Sequence, residues 1–118
     1  IVLAEECPIH KDLKTALVES NELSTDVIMR SLGFAHRVWM NEPAKQAKEV
    51  EDKGGGIEVM YPLVSGEACR KMYETGDITA GCMSVGQGIG LVHKVMPVKE
   101  IFAEMAEEAQ RIYAELSS

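Results

Sequence analysis

Residues 81–102 read GCMSVGQGIGLVHKVMPVKEIF, which places four of the chain's ten glycines, Gly81, Gly86, Gly88 and Gly90, within ten positions. A glycine inside a helix costs about 1 kcal/mol relative to alanine, so such a cluster needs a compensating reason. Spacing alone offers two. One is a tight crossing of helices, where a missing Cβ lets two backbones approach. The other is a cofactor contact made by the backbone together with Ser84 or Gln87. The GQGIG core is G-x-G-x-G rather than G-x-G-x-x-G, and no clear strand precedes it, so a dinucleotide fingerprint is not supported.

Downstream of the glycines the signal is helical. From Pro97 onward, apolar residues fall at Val98, Ile101, Phe102, Met105, Ala109, Ile112, Tyr113 and Leu116, with Glu104, Glu107, Glu108 and Arg111 between them. This 3.6-residue stripe predicts an amphipathic helix of about 20 residues, roughly 30 Å long, with one face to bury against something sizeable. Upstream, Asn41, Pro43 and the spacing of Lys45, Glu49 and Lys53 predict a helix that Gly54, Gly55 and Gly56 terminate. A second amphipathic helix is read in EACRKMYETGD, closed by Gly76, and a short one in DLKTALVES with Leu13, Ala16 and Leu17 on its apolar face.

Ser24 and Thr25 are read as N-caps of a further helix stopped by Gly33, whereas FAHRVWM is either a strand or an extended connector. IEVMYPLVSG is read as an apolar connector. The opening IVLA has the pattern of the end of a buried strand, and it suggests a segment of a longer polypeptide. The fold class expected is mainly α with short strands, α+β.

Composition narrows the function classes. The chain has 118 residues, is 46% hydrophobic and 26% charged, and carries 12 Lys+Arg against 19 Asp+Glu, a net charge of −7. An acidic chain without a basic stripe is a poor nucleic-acid binder, because phosphate neutralisation supplies most non-specific affinity. With no apolar run near 20 residues and no leader-like start, it reads as soluble and cytoplasmic. Cys7, Cys69 and Cys82 have no paired spacing and fit reduced thiols. Cys7 and His10 have ligand-like spacing, but no second pair completes a four-ligand zinc site, so no metal is expected. His36 and His93 sit among apolar residues and are read as packed. Glu5 and Glu6 are read as a solvated turn in preference to an active-site edge.

Three stretches taken together carry a family resemblance: IVLAEECPIHKDLKTAL, PLVSGEACRKMYETGDITAG and SVGQGIGLVHKVMPVKEIF. Their ordered PL-x-SG, GD-x-x-AG and GQ-x-x-GL succession resembles the carboxyl-terminal third of the 2-nitropropane dioxygenase family. That family comprises FMN-dependent nitronate monooxygenases and related flavin oxidoreductases, including enoyl-acyl-carrier-protein reductases. The resemblance implies the carboxyl-terminal fragment of an FMN-binding (β/α)8 barrel, including its helical subdomain.

On that reading, residues 1–61 are the end of the last barrel strand and the helical subdomain. Residues 62–118 are a return segment and the closing barrel helix. The resemblance also implies FMN in the parent enzyme, with Ser84, Gly86 and Gln87 on the flavin side of the barrel mouth. The parent's reaction would be oxidation of an alkyl nitronate with oxygen, or else NAD(P)H-dependent reduction of an enoyl thioester or quinone. A non-catalytic helical interaction module derived from such an enzyme is the third reading. The family's catalytic histidine lies upstream. His10, His36 and His93 do not match its motif, and no catalytic residue is assigned. Expected partners are a small-molecule substrate in the parent, and either a second copy or the missing barrel, with no nucleic acid and no membrane.

Overall fold

A computed structural model describes residues 1–118. Five α-helices and one two-stranded antiparallel sheet follow in the order α1 (Lys11–Val18), β1 (Thr25–Ile28), β2 (His36–Trp39), α2 (Glu42–Asp52), α3 (Ile57–Val64), α4 (Gly66–Thr75) and α5 (Val98–Ser117). The mainly helical content with a short sheet agrees with the class read from the sequence; a closed barrel is not among the elements.

Helix ends follow the side chains that cap them. The His10 ring accepts the Asp12 N–H at α1, Asn41 accepts the Ala44 N–H at α2, and Ser65 accepts the Ala68 N–H at α4. Gly76 ends α4 with φ +75°, a left-handed conformation that favours glycine, and its N–H returns to the Met72 carbonyl.

Three sequence readings are corrected. Residues 25–28 form β1 rather than a helix. Asn21 instead caps a single 3-10 turn at Glu22–Ser24, and Thr25, Val27 and Ile28 then supply β-branched side chains that pair in register with Trp39, Arg37 and His36. Residues 57–64 form α3 rather than a connector, although Pro62 lies inside it. The carbonyl that Pro62 cannot pair with belongs to Glu58, on the exposed side of the helix, where it is open to solvent. Residues 1–4 form a turn and not a strand, because only Ala4 pairs, in a single parallel bridge to Met96.

Two small apolar clusters make the core, and β2 runs between them. Val38 faces Ile28, Ala44, Ala47, Met60 and Cys82, whereas Trp39 faces Leu3, Leu13, Leu17, Met72, Met83 and Ile89. Successive strand residues point to opposite faces, and residues 82 and 83 divide in the same way. The two runs are joined by the Trp39 N–H on the Met83 carbonyl (3.0 Å) and by an antiparallel bridge between Val38 and Ser84. Each cluster takes residues from both sides of position 61.

Helix α5 spans 20 residues as expected but buries none of them. Phe102 and Met105 are each 59% exposed and Leu116 is 82% exposed. The helix is attached mainly at its start, where the Glu6 carboxylate accepts the Val98 N–H (3.0 and 3.2 Å) and the Glu5 N–H donates to Met96. Glu6 therefore compensates the positive end of a helix dipole, a more particular role than a solvated turn.

Candidate functional site

The loop 77–91 is built by turn chemistry. The Asp77 carboxylate accepts the Thr79 N–H (3.0 Å) and hydroxyl (2.6 Å), closing a turn directly after Gly76. Asn41, buried at 7% exposure, then spans three backbone groups. Its carbonyl caps α2, and its amide donates to the Ile78 and Gly81 carbonyls, both at 2.8 Å. The Cys82 N–H donates to the Leu63 carbonyl (3.1 Å) at the end of α3. The PLVSG, GDITAG and GQGIGL stretches thus surround one path of backbone.

The four glycines along this path divide into two kinds. A Cβ on Gly81 would lie 2.6 Å from the Ala68 carbonyl carbon and 2.8 Å from the Cys69 nitrogen. One on Gly90 would lie 2.9 Å from the Glu22 nitrogen. These two serve close backbone packing. A Cβ on Gly86 or Gly88 would meet nothing within 4 Å. Close backbone packing thus accounts for Gly81 and Gly90, while the space beside Gly86 and Gly88 is open.

Gly86 and Gly88 border a cleft of about 340 Å³. Its walls are mostly aliphatic: Ile1, Val2, Leu3, Leu17, Met83, Val85, Ile89, Val92 and Ile101. Ser84 and Lys94 are the two lining side chains that carry polar groups. The lysine ammonium lies 3.6 Å from the Glu104 carboxylate on α5. The Ser84 hydroxyl lies 2.6 Å from His36 Nε2 on β2. An apolar cleft with a few placed polar groups is the general form of a small-molecule site.

Of the residues assigned by resemblance, Ser84 and Gly86 line this cleft. Gln87 starts the 3-10 turn Gln87–Leu91, is exposed, and is not a lining residue. His36 is half-buried and hydrogen-bonded at the surface rather than packed in the core, and its bond to Ser84 was not legible because 48 residues separate the two. His93 is exposed, contrary to its reading as a packed residue. His10 caps α1 and packs against Gly76, which separates it from the cleft. Lys94 was missed: a single lysine between His93 and Val95 gives no sequence signal of a place in a cleft.

The cysteines are all free thiols. Cys82 is 4% exposed, and burial pushes its thiol up to about 11, so little of it is thiolate near neutrality. Burial likewise pushes the Tyr73 hydroxyl up to about 12, with the Cys69 sulfur beside it adding to the effect. No group of three or more His, Cys, Asp or Glu is placed to hold a metal ion. No helix is long and apolar enough to cross a membrane.

No family model matches the chain. Solved structures do. FabK from Thermotoga maritima superposes with a TM-score of 0.87 at 26% identity, over 98% of this chain and 36% of that one. A point mutant of FabK from the same organism superposes with a TM-score of 0.76 at 22% identity, over 98% of this chain and 33% of that one. The chain has the fold of a FabK segment and spans about a third of the length of the FabK chains it matches.

Proposed function

We propose that this chain is the carboxyl-terminal part of an FMN-dependent oxidoreductase, and that the cleft beside Ser84, Gly86 and Gly88 faces the flavin. The observation that carries the reading is the pair of glycines whose missing side chains leave open space at the mouth of an apolar cleft. A flat ring system can rest against bare backbone there, which a Cβ would obstruct. The likeness to FabK over nearly the whole chain supports the same class.

FMN, when bound, would supply the two-electron chemistry. The residues of this chain have other tasks. The apolar walls exclude water, the glycines admit the ring, and the Ser84 hydroxyl offers one hydrogen bond to orient it. Gln87, at the rim, is proposed to meet the flavin's polar edge. The exposed apolar face of α5 is proposed to lie against the barrel that the remaining two-thirds of such an enzyme would form.

Nitronate oxidation and NAD(P)H-dependent reduction of an enoyl thioester are equally supported as the parent reaction. The test is to express the complete open reading frame that encodes this chain and assay the purified product for both. NADH or NADPH consumption with a crotonyl thioester would assign the reductase. Oxygen consumption with an alkyl nitronate would assign the oxygenase. A product that holds no FMN and turns over neither would overturn the proposal.

A further inference from the structure

We infer that His36 is the positioning residue of the cleft, and that it sets Ser84 to donate a hydrogen bond to whatever the cleft holds. This rests on the functional reading above in one respect, that the occupant is FMN. Ser84 is one of only two lining side chains with a polar group, and the other, Lys94, has Glu104 near its ammonium. The direction of the Ser84 hydroxyl therefore decides what kind of atom is recognised at this wall.

His36 sets that direction through the hydrogen it carries. Its Nε2 lies 2.6 Å from Ser84 Oγ, within the range of a strong hydrogen bond. An imidazole has three forms: neutral with hydrogen on Nε2, neutral with hydrogen on Nδ1, and protonated on both. In the first and the third, Nε2 donates and Oγ accepts. The serine hydrogen is then released to point into the cleft, toward an acceptor such as a ring carbonyl oxygen or an unprotonated ring nitrogen. Only in the second form does Ser84 spend its hydrogen on the histidine.

The backbone keeps the pair in place. The bridge between Val38 and Ser84, and the Trp39 N–H on Met83, hold residues 83 and 84 alongside β2. Antiparallel pairing with β1 fixes His36 opposite Ile28. The proximity of the pair is thus built into strand pairing rather than into a free loop.

Selective ¹⁵N-histidine NMR on the complete gene product reads the tautomer without any ligand. The expected result is a His36 that carries hydrogen on Nε2, and a His36 with hydrogen on Nδ1 alone would overturn the inference. FMN titration of variants gives the second readout. His36→Leu and Ser84→Ala should each weaken FMN by about threefold to tenfold, the worth of one neutral hydrogen bond. The double variant should be no weaker than either single one. His36→Gln, which can place an amide N–H near the position of Nε2, should restore most of the affinity. Unchanged affinity in His36→Leu, with wild type binding normally, would overturn the role of His36. A wild-type protein that binds no FMN would overturn the functional reading instead, and the tautomer would still decide this one.

Discussion

Asn41 shows how one side chain can set the path of a site it does not touch. It caps α2 and holds the Ile78 and Gly81 carbonyls from inside the protein, at a distance in sequence of about 40 residues. Replacing it with alanine removes the cap and leaves the buried Gly81 carbonyl and the half-buried Ile78 carbonyl without that donor. Asn41→Ala should therefore lose about 2–4 kcal/mol of stability, measured by urea denaturation. Its role as a cap was legible, because an Asn two residues before a proline and a charged helical repeat is a local pattern. Its role as a clamp was not, because nothing near residue 41 signals which carbonyls will come to it. The same holds for His36 and Ser84: each was read, but the bond between them is a product of the sheet.

Among the elements, those with a local period or a stop signal were legible and those governed by pairing were not. α2, α4 and α5 carry amphipathic repeats, bounded by a capping residue in α2 and α4 and opened by Pro97 in α5, and they fold where the sequence puts them. β1 was read as a helix because Ser24 and Thr25 are good caps in isolation. Its partner strand, with Val38 and Trp39 dividing the two core clusters, overrides that preference. The link between β1 and β2 is tied to α2 by Glu51, whose carboxylate accepts the Met29 N–H (3.0 Å), the Ser31 N–H (2.7 Å) and the Ser31 hydroxyl (2.9 Å). Those bonds, the Ser31 N–H first, hold Glu51 below its ordinary 4.5, and the Lys48 ammonium holds Asp26 below its ordinary 3.8. Because the folded values are the lower ones, the stability they contribute is present above the ordinary values and is lost as pH falls through the folded ones. Thermal melts taken downward from about pH 5 should therefore show a falling midpoint, and Glu51→Gln should make that fall shallower. An acid limb of unchanged slope in the variant would assign the effect to other carboxylates.

As a whole the molecule is extended, 55 × 32 × 19 Å with a radius of gyration of 16.9 Å, where a compact chain of this length would have about 13.5 Å. Only 20 of 118 residues are buried, and α5 contributes none of them. An apolar helix face left open beside an apolar cleft is a surface suited to contact with further protein, in keeping with the proposal above that α5 lies against a barrel. The length and one-sided apolar face of α5 were legible from its 3.6-residue stripe alone. The cleft was not, because its walls come from residues 1–3, from Leu17 and from the loop and helix after residue 83. The central claim is that the glycine-lined mouth of this cleft faces FMN, and Gly86 offers the most direct test. Its backbone, at φ −84° and ψ 168°, suits any residue, and a Cβ there meets no protein atom within 4 Å. Gly86→Leu should leave the melting temperature of the complete gene product essentially unchanged. In an FMN fluorescence titration it should weaken binding by at least about tenfold, because the added side chain occupies the ring's place. Wild-type affinity in that variant, with the fold intact, would contradict the account.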